Sequence, residues 1–188
     1  MKLRLISVAL VFITPNVFIS TSFAETLVEF GIHSGGDEIT LVSESNTVIE
    51  STKAGSKYSF SIGGTKAFTD NYEAQFSFGI KSDASYSTDN ESSWVRYPLN
   101  AMLFYHSEDL RLGLGTTAHL FAKFKASGTT NNASTTYKDA IGALFEIDYR
   151  LDRQYYLGLR YTSIKYVSED NGNSYDGSSV GILIIVLI

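Results

Sequence analysis

The sequence contains no cysteine. That removes disulfide frameworks, thiolate metal sites, a cysteine nucleophile and a lipid-modified cysteine anchor. Proline is scarce, with two in 188 residues, so little in the chain interrupts ladders of backbone hydrogen bonds. Positive charge is also short: 15 Lys and Arg stand against 20 Asp and Glu. A nucleic-acid partner needs a basic face, so none is expected. No hydrophobic run reaches the length of a spanning helix, and mean hydropathy is −0.01. A bundle of membrane-spanning helices is therefore excluded.

What the chain does have is 12 Tyr, 12 Phe and 15 Gly. Tyr and Phe favour strands and also gather at membrane interfaces. The N-terminus has its own character. Lys2 and Arg4 precede an apolar stretch from Leu5 to Ile13, which continues more weakly to Phe18 and is broken by Pro15-Asn16. Ser22-Phe23-Ala24 offers a small-x-small cleavage site. This order of features predicts a secretory signal peptide over residues 1–24 and one domain over 25–188. Removing Lys2 and Arg4 leaves 13 basic against 20 acidic residues, a formal charge of −7.

The remaining chain alternates. Side chains in a strand point to opposite faces at every step, so alternation is the mark of a two-faced strand. In 72–81, Tyr72, Ala74, Phe76, Phe78 and Ile80 alternate with Glu73, Gln75, Ser77, Gly79 and Lys81. The pattern recurs in 57–68, 95–105, 110–120, 139–151 and 155–162, in a first strand around Val28, Phe30 and Ile32, and in the apolar run 180–188. The predicted fold class is all-β, with eight strands. Their connections alternate in length. Short turns fall at 69–71, 107–109 and 152–153, and long polar connections at about 34–56, 84–93, 127–136 and 169–177.

Regular segregation of long and short connections is the habit of membrane barrels, which have short turns at one end and long loops at the other. The predicted architecture is an antiparallel up-and-down transmembrane β-barrel. In it the apolar parity faces lipid. Phe60, Tyr72, Phe76, Phe78, Tyr97, Leu112, Phe145, Tyr149, Leu157 and Tyr161 are the expected lipid-facing or interfacial residues. Tyrosines near strand ends suggest aromatic girdles. The opposite parity carries Glu29, Glu73, Arg96, Arg111, His119, Glu146, Asp148, Arg150 and Arg160. Eight strands enclose a lumen just wide enough to be filled by side chains. Four carboxylates and four guanidiniums at mid-strand are therefore expected to pair as a structural plug rather than to line an ion path.

The segments FGIHSGGDEI (30–39), RYPLNAMLFYHSEDLRLGLG (96–115), YYLGLRYTSIKY (155–166) and GSSVGI (177–182) resemble the OmpA/OmpX-type superfamily of small outer-membrane barrels. More narrowly, they are similar to a gammaproteobacterial outer-membrane barrel family of uncharacterised role. The resemblance implies a Gram-negative outer-membrane location and a structural or surface-interaction role. It also implies the lipid bilayer and lipopolysaccharide as neighbours, barrel-assembly machinery during biogenesis, a monomeric state and no cofactor. Such barrels end in an aromatic residue that the assembly machinery recognises. Here the last residue is Ile188, and the inward parity Leu183, Ile185 and Leu187 is apolar where polar residues or glycine are expected.

The histidines are His33, His106 and His119. An outer-leaflet lipid A deacylase-like hydrolase would need a His, a Ser and a carboxylate in mutual reach. His33-Ser34 with Asp37 or Glu38 is the one arrangement near the outer end, and His33 has inward parity. No catalytic residue and no enzymatic activity are expected. The acidic, Gly-rich segments 35–38 and 169–177 lack the spacing of an EF-hand and read as turns. Gly113-x-Gly115 lies within a strand, where glycine makes room for bulky neighbours. A narrow solute conduit and a soluble periplasmic lipocalin-like carrier complete the alternatives; the carrier would turn its apolar parity inward.

Overall fold

The computed structural model describes residues 25–42, 48–86, 90–128 and 132–188. The expected signal peptide, 1–24, lies outside the described residues. The strands in chain order are β1 (Glu25–Ser34), β2 (Glu38–Val42), β3 (Val48–Lys53), β4 (Lys57–Ala67), β5 (Tyr72–Tyr86), β6 (Asn90–Ser107), β7 (Leu110–Gly128), β8 (Asn132–Thr136), β9 (Ala140–Arg150), β10 (Tyr155–Ser163), β11 (Lys165–Val167), β12 (Ser174–Asp176) and β13 (Ser179–Leu187).

Eight of them close into a barrel. The order runs β1-β4-β5-β6-β7-β9-β10-β13, every described pair is antiparallel, and β13 returns to β1. Among the described residues, closure gives each of these eight strands a neighbour on both sides, which a barrel in hydrocarbon requires. The seam is completed at the chain end. The Thr26 amide donates to the Ile188 carbonyl at 2.7 Å, and the Ile188 amide donates back at 2.8 Å.

The short turns close one rim and are tied to each other. Thr69 Oγ1 accepts the amides of Asn71 and Tyr72. Asn71 Nδ2 in turn donates to the His106 carbonyl of the next turn at 3.1 Å. At the opposite rim the long connections differ from expectation. They are largely β structure rather than loop. β2 pairs with β3, β11 with β12, and β8 with the outer part of β7. β5 and β6 run on together to the Tyr86–Glu91 pair, so the expected loop 84–93 is mostly a strand extension. The cause is chemical. Beyond the bilayer both faces of a strand meet water or loops, so Ser and Thr form ladders without an apolar parity to reveal them.

The two parities separate as a membrane barrel requires. Phe76, Leu112 and Leu157 are 40%, 42% and 44% exposed, while Arg111 and Glu146 are 0% exposed. A soluble carrier would show the reverse. The apolar inward parity of β13 is also accommodated. Leu183 sits in register between Gly31 of β1 and Gly158 of β10. A methyl group at Gly31 would come within 2.9 Å of the Leu183 side chain. Leu183, Ile185 and Leu187 pack there with Leu27 and Tyr156 in a small apolar cluster.

Candidate functional site

The lumen is filled in layers. Nearest the short-turn rim, Arg111 is the hub. Its Nε and Nη2 donate to Asp148 Oδ2 at 3.0 and 2.8 Å, Nη1 to Glu73 Oε1 at 2.9 Å, and Nη2 to Gln75 Oε1 at 3.1 Å. The guanidinium lies between two rings, 4.1 Å from the Phe104 centroid and 4.8 Å from that of Tyr156. Gly113 faces Phe104 in register, and any side chain there would collide with the Phe104 ring. The strand glycine thus makes the space the ring occupies. Arg150 is half-buried at the rim of this layer, 5.8 Å from the Tyr156 ring.

One layer further out, Arg160 holds Glu29 in a two-pronged pair, Nη1 to Oε1 and Nη2 to Oε2, both at 2.6 Å. Its Nε donates to Glu146. The pair joins β10 to β1 across the intervening β13 and to β9 on the other side. Planar guanidinium geometry is suited to bidentate capture of carboxylates.

Above this level the lumen changes. Lys81 is buried, and its Nζ donates to Ser179 Oγ at 3.2 Å. His33 Nε2 and Ser59 Oγ are 2.8 Å apart, and His119 Nδ1 lies 2.5 Å from the Tyr166 hydroxyl. Arg96 donates to the Ser56 carbonyl and sits 4.9 Å from the Trp94 ring. Neither Lys81 nor Arg96 forms an ion pair among the described residues. The expected plug therefore needs correction in one respect. The four carboxylates gather on Arg111 and Arg160; Arg96 lies apart near the mouth and Arg150 at the opposite rim. Residues of one parity share a face but stand at different heights along the barrel, so only those at the same level can pair.

The outer mouth is closed by a core of its own. Trp94, Phe124, Tyr137, Tyr166, Ile39, Ala54, Ala122, Ala140 and Ile164 pack together. Trp94 makes edge contacts with Phe124, Tyr137 and Tyr166 at 6.4, 5.0 and 5.3 Å between centroids. Its Nε1 donates to the Ala54 carbonyl at 2.9 Å. Burial pushes the Tyr137 and Tyr166 phenols up from their ordinary range. Asp37 pins the first and last outer hairpins: its Oδ2 accepts the Asp176 amide and its own amide donates to the Asp176 carbonyl, both at 2.7 Å. Gly36, at φ 83°, lets the backbones approach, since a Cβ there would meet the Asp176 carbonyl at 2.8 Å.

Sequence reading missed Lys81, Trp94 and Tyr166. Lys81 and Trp94 both share the polar, inward parity of their strands, which was the available signal. Tyr166 lies beyond the expected strand 155–162 but continues its inward parity through Thr162 and Ile164. The arrangement His33-Ser34-Asp37/Glu38 is not assembled: Ser34 is exposed on the opposite face, and His33 turns to Ser59. His106 stands 3.5 Å from Glu73 at the short-turn rim. Among the described residues no His, Cys, Asp or Glu group is arranged to hold a metal ion.

No family model matches the sequence, and no curated protein matches it. Solved structures do. Ail, the attachment invasion locus protein of Yersinia pestis, aligns with a TM-score of 0.54 at 11% identity, covering 87% of this chain and 95% of that one. Neisserial surface protein A aligns with a TM-score of 0.55 at 9% identity, covering 86% and 95%. The likeness is one of fold, the closed eight-stranded barrel of small bacterial outer-membrane proteins.

Proposed function

We propose that the chain is an integral outer-membrane barrel with a sealed lumen, serving as a structural or surface-interaction protein through its outer hairpins. The inverted distribution of side chains carries this reading: charge networks inside, a continuous apolar wall outside. Hydrocarbon solvates that wall, and closure satisfies every backbone group within it. Lipopolysaccharide is the neighbour of the outer half of the wall.

Two further features support a sealed barrel. The void between Arg160, Glu29, Lys81 and His119 is about 20 Å³, room for about one water. The aromatic core then caps the mouth. The buried His33–Ser59 pair faces this lumen, away from any lipid acyl chain, and favours a non-enzymatic role.

The test joins extraction, gel mobility and conductance. The folded chain should need detergent for release and should migrate differently before and after boiling. In planar bilayers it should give no discrete conductance steps. Release by salt alone would remove the membrane reading, and regular single-channel steps would remove the sealed lumen.

A further inference from the structure

β7 changes phase where it leaves the apolar band. From Leu110 to Leu120 the even positions face outward. Phe121 then takes a left-handed backbone, φ 53°, and the register with β6 slips between Val95/Tyr97. Beyond the slip the odd positions face outward. Phe121 and Lys125 are exposed and Lys123 half-buried, while Ala122 and Phe124 turn into the mouth core and Ala126 is buried on the same side. Without the slip, Lys123 and Lys125 would point into the lumen.

A left-handed conformation in a bulky residue is an outlier and is held only by its surroundings. Here Asp139 Oδ1 accepts the Phe121 amide at 3.1 Å, and the Tyr137 amide donates to the Ala122 carbonyl at 2.9 Å. The Phe121 ring meets Tyr97 edge-on at 6.4 Å, and Tyr97 stacks on Phe78 at 6.4 Å. Ser93, Val95, Tyr97, Phe121, Lys123 and Lys125 line a groove of about 230 Å³ on the outer wall.

Height identifies what this groove meets. From Leu110 to Phe121 the strand advances about 36 Å at ~3.3 Å per residue. Tilted by roughly 40–45°, that is about 26 Å of depth, close to the apolar band of a membrane barrel. Phe121 and Tyr97 therefore stand at the outer lipid–water boundary, and the two ammonium groups stand just above it. Neither lysine is ion-paired among the described residues. The nearby Asp139 carboxylate, whose Oδ1 accepts the Phe121 amide, offsets one of the two positive charges, and Glu91 lies further out on β6. Against a sequence charge of −5, this is a local cationic site on the lipid-facing wall.

We propose that this groove binds one phosphorylated glycolipid of the outer leaflet. Lys123 and Lys125 would hold a headgroup phosphate, and acyl chains would run down over Phe121, Tyr97 and Phe78. The inference rests on the membrane reading above. The bulge at Phe121 is the device that turns both lysines toward lipid.

The experiment uses the folded chain in phosphatidylcholine nanodiscs doped with lipid A or with dephosphorylated lipid A. Lipid retained after gentle release is counted by native mass spectrometry. The wild type should retain one lipid A and lose it when the phosphates are removed. The Lys123→Gln/Lys125→Gln pair should weaken retention about thirtyfold, and each single change about fivefold, following the contribution of a lysine near an anionic surface. The Lys123→Arg/Lys125→Arg pair should keep it, as should Lys66→Gln at the opposite rim. Equal retention of dephosphorylated lipid A by the wild type would overturn the proposal, as would undiminished retention by the folded Gln pair. If the Gln pair does not fold, the phosphate comparison on wild type decides alone. Failure of wild type to enter nanodiscs would instead count against the membrane reading itself.

Discussion

The inner and outer halves of the lumen are filled by different physics. In the inner half Arg111 and Arg160 are saturated by Glu73, Asp148, Glu29 and Glu146, and the network stitches strands that are not neighbours. In the outer half Lys81 and Arg96 lie beside hydroxyls, a carbonyl and an aromatic ring, under a packed Trp–Tyr–Phe core. The difference follows surroundings. Facing hydrocarbon, a strand must keep its polar atoms inside, and buried charges there are tolerable only in pairs. Beyond the bilayer the hairpins can fold over the mouth, and ordinary apolar packing becomes available.

The sharpest way to break this contrast is at Arg160. Arg160→Met would leave Glu29 and Glu146 buried without their partner. We expect a loss of about 3–5 kcal/mol in urea unfolding of the detergent-folded protein, the range for stripping one member of a buried ion pair. Trp94→Ala should cost about 3 kcal/mol or more of local packing, but confined to the mouth. Limited proteolysis should then open the outer hairpins while heat-modifiable mobility persists. Equal loss of barrel and hairpins would mean that the halves are one cooperative unit.

A smaller effect is expected at the seam. Gly31→Ala would press a methyl group on Leu183 and Ser59 and should cost about 1–3 kcal/mol. Leu183→Ala in the same chain should recover part of that loss, which a double-mutant cycle reads directly. The smallest effect concerns Asp176 in the outer hairpins. The Ser178 hydroxyl and amide donate to its carboxylate and hold its pKa below the ordinary carboxylate range. A depressed folded pKa gives stability that is present above the unfolded value and is lost as pH falls through the folded one. The Ser178 amide resonance should therefore shift only at acid pH below that ordinary range, with barrel resonances unmoved. A shift centred at or above the ordinary carboxylate range would show that these bonds do not form.

Much of the barrel was legible because lipid on one side and a packed lumen on the other impose an alternation that sequence records residue by residue. Glu146 and Asp148 could be placed inside from parity alone, and so could Leu112 and Phe145 outside. Partnership was less legible. Nothing in a strand says that Arg96 stands too high to reach Glu29, because height depends on the stagger between strands. The bulge was hidden for a different reason. Leu120, Ala122, Phe124 and Ala126 continue one apolar parity through it, so the sequence reads as unbroken while the side chains change sides. The outer strand extensions carried too many Ser and Thr on both faces to announce themselves.

The inside-out barrel can be tested with a moving tryptophan, since the chain has one Trp. In a Trp94→Phe background, the changes Phe76→Trp, Leu112→Trp and Leu157→Trp should each give fluorescence strongly quenched by lipids brominated on their acyl chains. Phe104→Trp, on the opposite parity, should escape quenching. Quenching at position 104, with none at 76, 112 and 157, would mean that the apolar residues line the interior and that the chain is no membrane barrel.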